Sequence, residues 1–327
     1  MSTLKPAFLF PGQGSQTVGM GRDLYDNFPS ARTTFEEADE ALQFPLSRLI
    51  FDGPADDLQL TEHTQPAILT VSIAAYRVLI DALKPLGIAP AMAAGHSLGE
   101  YSAHVAAGTL SFADAVRTVR SRGQFMQQAV PPGVGSMAAI LGLPAAQIAD
   151  LCKQASTGPQ EIVSPANLNS PDQTVISGSL AAVERAAELC KAAGAKKTVI
   201  LKVSAPFHCA LMQPAEDALA TTLEGITFND PAYPVAANVD ARLLTQASEV
   251  RDCLVRQVTG SVRWVECIQL LIAEGATHFI EVGPGRVLSG LMRQIDRAQK
   301  ALNVEDSVSL DKTLTALTAK PEEETQA

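Results

Sequence analysis

The chain has 327 residues, 46% of them hydrophobic, and a formal net charge of −10, enough for one large domain with an insertion or for two domains. The acidic balance excludes nucleic-acid binding as the main task, because a phosphate backbone calls for a basic face, although a local basic patch for an acidic partner stays open. No signal-peptide core follows Met1–Pro6, no run approaches membrane-spanning length, and the five cysteines (152, 190, 209, 253, 267) are scattered without a Cys-x-x-Cys pair. Reduced thiols in a cytoplasmic protein are therefore expected, with no metal site, and the five histidines show no His-Glu-x-x-His spacing.

In chain order, Ala7–Phe10 reads as a short buried strand running into the glycine-rich loop Pro11–Gln16. That loop is neither a Walker A motif nor a dinucleotide fingerprint, since Thr17 stands where the third glycine would be. Residues 31–42 predict a helix, and Gln65-Pro66 opens another through Leu83. Ala91–Gly95 is a strand, 98–107 a helix ended by Gly108, and Ser111 caps a helix over about 112–130 that Pro131-Pro132 stops. The rhythm then changes. Strand 136–141, helix 144–157, strands 161–168 and 173–178, helix 180–193 and strand 197–203 spell β-α-β-β-α-β, the pattern of a ferredoxin-like unit. Beyond it follow helix 210–224, strand 235–239, helices 248–258 and 263–274, strand 277–282 and a last helix from Gly283-Pro-Gly285 to about 299. The expected fold is α/β: a hydrolase-like core with a mostly parallel sheet (1–132 and 204–300) and an inserted ferredoxin-like subdomain (133–203). Residues 301–327 are a C-terminal extension whose charged end, Lys320–Ala327, is expected to be disordered.

Gly95-His96-Ser97-Leu98-Gly99 spells G-x-S-x-G at a strand-to-helix turn. A serine there is a candidate nucleophile on a tight bend, at a helix end whose free N–H groups favour developing negative charge. Its base must be a histidine. His96 reads as a packing or loop residue, His63 as part of a polar loop, His278 as structural, and His104 as the partner of Glu100 in an exposed or half-buried pair. His208 follows a strand that ends in proline and heads a helix, where sites in α/β sheets collect; a structural role stays open for it too. On the 112–130 helix, Arg117 falls opposite the apolar face, while Arg120 and Arg122 flank it and can lean inward. Cys209 reads as a small core residue.

Eight segments resemble the malonyl-CoA:acyl-carrier-protein transacylases of bacterial type II fatty acid synthesis. They are Phe8–Gln16, Gln65–Ala67, Ala94–Ser102, Arg122–Met126, Asn167–Pro171, Ser204–His208, Val255–Gln257 and Glu281–Gly285, in family order over residues 6–300. The resemblance implies Ser97 as acyl-accepting nucleophile, His208 as general base, and the backbone N–H groups of Gln13 and Leu98 as oxyanion hole. It further implies Arg122 as receptor for the malonyl carboxylate and Gln257 as the residue that orients His208, with no third acid. Malonyl-CoA and acyl carrier protein would be the partners, without bound cofactor or metal, and the enzyme a cytoplasmic monomer. Phe207 would narrow the acyl pocket. Lys191, Lys196, Lys197 and Lys202, with Arg286 and Arg293, are candidates for docking the acidic carrier. A serine thioesterase or esterase, a non-catalytic carrier-binding module, and a malonyltransferase of malonate decarboxylation or polyketide synthesis are the rival readings.

Overall fold

The computed structural model describes residues 4–319 except Lys202 and Ser204. Lys202 and the tail from 320 onward, both singled out above, therefore lie outside the described residues. Ten strands run in chain order: β1 (Pro6–Phe10), β2 (Met92–Gly95), β3 (Gly135–Leu141), β4 (Val163–Ser170), β5 (Gln173–Ser179), β6 (Lys197–Ile200), β7 (Val235–Ala237), β8 (Arg242–Leu244), β9 (His278–Val282) and β10 (Ala301–Val304). The helices of the first half are α1 (Arg22–Asn27), α2 (Pro29–Leu42), α3 (Leu46–Asp52), α4 (Ala55–Gln59), α5 (Thr61–Leu83), α6 (Gly99–Ala106) and α7 (Phe112–Gln128). Those of the second are α8 (Ala145–Ala155), α9 (Leu180–Ala192), α10 (Gln213–Glu224), α11 (Ala247–Arg256), α12 (Trp264–Ala273), α13 (Val287–Ile295) and α14 (Ser307–Thr318).

The central sheet has the order β10-β9-β1-β2-β7-β8, parallel throughout except for the β7–β8 pair. Strand alternation sends Phe8 and Phe10 to one face, against α5, α6 and α7, and Ala7 and Leu9 to the other, against Trp264, Ile268 and Leu288. Both faces are thus covered, which is why β1 is apolar and buried at all five positions. This is the expected α/β architecture with a mostly parallel sheet. A second, antiparallel sheet of order β4-β5-β3-β6 packs on α8 and α9, which is the strand order of a β-α-β-β-α-β unit. It is stitched to the rest where Leu168 N–H donates to Val262 O and Val262 N–H to Ala166 O.

Several expectations need correction. Residues 301–304 are not outside the core: β10 pairs in parallel with β9 and completes the sheet edge, and α14 follows under an Asp306 capping box. The four-residue strand was hidden by the charged composition around it. Helix α5 begins at Thr61, so Pro66 lies inside it and His63 belongs to the helix rather than a loop, its ring stacked on Phe44. The same helix, continued by one 3-10 turn to Leu86, is long and apolar enough to span a bilayer, contrary to the expectation that no run is. It is the central core helix, wrapped by α2, α6 and α7, and burial by protein accounts for its composition. Glu100 and His104 do not form an exposed pair. Both are fully buried, the His104 nitrogens have no partner among the described residues, and burial pushes that imidazole down to about 3.

Candidate active site

The turn after β2 is built by close contact. A Cβ at Gly95 would overlap the Gly99 backbone, and one at Gly99 would overlap the Phe10 carbonyl, so only glycine lets the bend close against the end of β1. Ser97 sits at the apex with φ 51, a left-handed conformation that serine adopts only when its surroundings enforce it. Asn238, just past β7, provides the enforcement: its Oδ1 accepts from the Ser97 N–H at 2.7 Å and its Nδ2 donates to the Gly95 carbonyl at 2.8 Å. The Asn238 N–H in turn donates to Glu100 Oε2 at 3.0 Å.

Ser97 Oγ lies 2.7 Å from His208 Nε2. His208 also has a positive φ, 59, and its Nδ1 faces two backbone carbonyls, Gln257 at 2.8 Å and Gly260 at 3.1 Å. Carbonyls only accept, so Nδ1 carries the proton and Nε2 presents its lone pair to the serine. Burial first, and then the Arg122 charge, push this imidazole down to about 3, which keeps it neutral near pH 7 with the Nε2 lone pair free. Gln257 was expected to orient His208; the contact between them is made by the Gln257 main-chain carbonyl. Its side chain turns elsewhere, donating to Ser97 O and to Glu100 Oε2 while accepting from Arg122.

Arg122 is 1% exposed, so of the two flank positions that helix periodicity allows to lean inward, this one turns fully into the interior. Nη1 donates to Gln65 Oε1 at 2.7 Å, and Nη2 to Gln257 Oε1 at 2.9 Å and Ser97 Oγ at 3.2 Å, with the Tyr101 ring 5.7 Å away. Among the described residues no carboxylate bonds this guanidinium, and its Nε has no partner. Arg120, the other inward candidate, lies over the Phe44 ring and donates to Leu42 O. Glu100, the carboxylate that acts on Arg122 through Gln257, is pushed up to about 7 by burial, against hydrogen bonds from Asn238 and Gln257.

The N–H groups of Gln13 and Leu98 have no acceptor among the described residues. Leu98 is fully buried at the start of α6, and Gln13 is exposed in the glycine loop. A cleft of about 700 Å³ opens over Ser97 and His208, with Gln13 and His96 at its base and Met126, Phe207 and Asn169 among its walls. His96 is held by Asn169 at 2.8 Å, and Cys209 is buried with its thiol turned to Pro206 O. A serine oxygen beside a neutral imidazole, facing free N–H groups and a buried cation that no carboxylate bonds directly among the described residues, can accept an acyl group whose far end is anionic.

Comparison with known proteins gives the family. Residues 7–322 match the acyl transferase domain family. The chain belongs to that family. The malonyl CoA-acyl carrier protein transacylase of Escherichia coli K12 is 54% identical over 289 residues, covering 88% of this chain and 92% of that protein. A Coxiella burnetii malonyl CoA-acyl carrier protein transacylase structure superposes with a TM-score of 0.93 at 44% identity, covering 97% and 98% of the two chains. A malonyl-transacylase solved in complex with a type II PKS acyl-carrier protein gives 0.90 at 47% identity, over 96% and 99%.

All six residues singled out from the sequence for this acyl transferase site lie around one centre. Three others were missed. Asn238 fell inside the expected strand 235–239, whereas β7 stops at Ala237 and leaves it at the carboxyl end of a parallel strand, where a polar residue is a usable signal. Glu100 was paired with the wrong neighbour. Gly260 contributes only a carbonyl, which side-chain reasoning cannot see.

Proposed function

We propose that the chain moves malonyl from malonyl-CoA to the phosphopantetheine thiol of an acyl carrier protein, through an ester on Ser97. The observation that carries this reading is the Arg122 guanidinium, buried, 3.2 Å from Ser97 Oγ and without a carboxylate of its own. Glu100 acts on this cation only at a distance, and a substrate carboxylate would pair with it directly by a charge-assisted, forked contact. An acyl group with a terminal carboxylate one methylene from its thioester suits that spacing.

In this mechanism His208 Nε2 takes the Ser97 proton as Oγ attacks the thioester carbonyl. The Gln13 and Leu98 N–H groups hold the oxyanion, and the imidazolium returns its proton to the departing CoA sulfur. The carrier thiol then gives its proton to His208 and attacks the ester, and Ser97 recovers a proton as malonyl-carrier leaves. Among the described residues two backbone carbonyls, rather than the carboxylate of a Ser-His-Asp triad, face the histidine Nδ1 and orient it. The core segments 1–132 and 204–300 carry the chemistry, while Met137, Asn167 and Val175 of the 133–203 insert roof the cleft. Five buried, unpaired cysteines suit the reducing cytoplasm, where the enzyme is taken to act as a monomer.

One assay tests the reading: malonyl-CoA with holo carrier protein, following malonyl-carrier and free malonate separately. Transfer should exceed hydrolysis, and Ser97→Ala should carry no covalent malonyl. Arg122→Ala should lose about 10–100-fold more activity with malonyl-CoA than with acetyl-CoA, the scale of lost charge-assisted bonds. Hydrolysis without transfer would instead identify a thioesterase.

A further inference from the structure

Behind Arg122 runs a line of hydrogen bonds that the proposed chemistry does not use. Arg122 Nη1 donates to Gln65 Oε1 at 2.7 Å, Gln65 Nε2 donates to Thr61 Oγ1 at 3.1 Å, and Thr61 Oγ1 donates to Gln13 Oε1 at 3.3 Å. Its direction is fixed from the cation outward. A guanidinium cannot accept, so the Gln65 oxygen must face it and the Gln65 amide must donate onward to Thr61, which leaves the Thr61 proton free for Gln13 Oε1. Bonds aligned in one direction polarise one another. Thr61 is 1% exposed and is the first residue of α5.

Two further contacts fix the same junction. Gly123, next to Arg122, is seated on Thr61 so closely that a Cβ there would lie 2.6 Å from the Thr61 carbonyl oxygen. On the other side, Gln16 Nε2 donates to Gln59 Oε1 at 2.7 Å, and Gln16 Oε1 accepts from the Gly14 N–H at 2.7 Å. The glycine loop that carries Gln13 is therefore strapped to residues 59–61, and residues 61–65 are strapped to Arg122.

We propose that Thr61 is a positioning residue that sets the spacing between the carboxylate receptor and the oxyanion loop, and with it the preference for a malonyl over an acetyl group. This rests on the function proposed above. A malonyl group has a carboxylate and a thioester separated by one methylene, so it must fit Arg122 and the Gln13 N–H together. An acetyl group uses only the second of these and is indifferent to the spacing. Thr61→Val keeps the shape and removes the link; Thr61→Ser keeps the hydroxyl.

The test compares kcat/KM for malonyl-CoA and acetyl-CoA in wild type and both variants, at saturating holo carrier protein. The malonyl-to-acetyl ratio should fall about tenfold in Thr61→Val and return to within about twofold of wild type in Thr61→Ser. The ratio cancels any loss of folded enzyme, since both substrates sample the same preparation. A ratio unchanged in Thr61→Val, or lowered equally in both variants, overturns the relay while leaving the proposed function standing. A wild-type enzyme that carries no malonyl on Ser97 overturns the parent reading, and this one with it.

Discussion

Ser97 and His208 each hold a positive φ, at 51 and 59, and neither is glycine. Such conformations cost on the order of 1–3 kcal/mol each and persist only where neighbours over-determine them. Asn238 does this for the serine, and the Gln257 and Gly260 carbonyls do it for the histidine. The same network buries Glu100, whose Oε2 receives Asn238 N–H and Gln257 Nε2 while its Oε1 has no partner among the described residues. Its carboxyl is pushed up from 4.5 to about 7, chiefly by desolvation. In the folded chain it therefore holds a proton that the unfolded chain has released. Its stabilising contribution is complete below about pH 4.5 and is lost as pH rises through about 7. That loss is on the order of 3 kcal/mol, or about 4 °C for a chain of this length. His208 works in the opposite sense, losing stability as pH falls from 6.5 toward about 3, but equally in wild type and in a Glu100 variant. Thermal unfolding of Glu100→Gln should therefore gain about 4 °C on wild type between about pH 5 and pH 8. A difference that does not change with pH would show Glu100 ionised throughout. Little of this was legible in the sequence. Ser97 and His208 stand out by type and position, whereas the surroundings of Glu100 come from residues 138 and 157 positions away.

At the scale of elements, the clearly patterned segments were readable and the mixed ones were not. The strands β1, β2 and β9 announce themselves as apolar runs between turn residues, and Ser111 caps α7 as expected, accepting from Asp114 N–H. β10 is no shorter than β2, but Asn303 interrupts its apolar residues, and β8 opens on Arg242, so no run marks either strand. Helix periodicity allowed both Arg120 and Arg122 to lean inward without choosing between them; Arg122 is buried where α5 and α7 approach closely. Gly123 makes that approach, its absent side chain facing backbone atoms of Thr61 and Glu62 at 2.6–2.8 Å. Two effects of opposite sign meet at this position. Helix propensity alone favours Gly123→Ala by about 1 kcal/mol, whereas forcing two backbones apart costs about 1–3 kcal/mol. The new methyl meets backbone, which cannot rotate aside, so the second effect should win. Urea unfolding of Gly123→Ala should show a net loss of up to about 2 kcal/mol, together with weaker discrimination for malonyl as Arg122 moves with its helix. A net gain in stability would mean that the helices separate without cost.

For the whole molecule, the constraint is charge: a chain of net charge −10 is proposed to meet an acidic carrier. Productive encounter then depends on where the positive charges stand and which of them are already neutralised. Arg286 is committed to Glu305 at 2.9 Å, and Lys191 sits near Glu188 at 3.9 Å. Arg293 Nε turns to Ser289 O. Lys196 and Lys197 are exposed at the start of β6, the edge of the smaller sheet, and form no ion pair among the described residues. They thus retain the field that would draw in an anionic partner, on a face that also supplies a wall of the cleft through Leu201 and Val203. Replacing both, as Lys196→Glu with Lys197→Glu, should raise KM for the carrier roughly fivefold at low salt. The rate of Ser97 acylation by malonyl-CoA should stay within about twofold, since the lysines touch none of the reacting groups. At about 1 M salt, where the screening length is about 3 Å, the two enzymes should converge. A carrier KM unchanged at low salt would move the docking surface away from this edge, and a difference that persists at high salt would make the contact one of shape rather than charge.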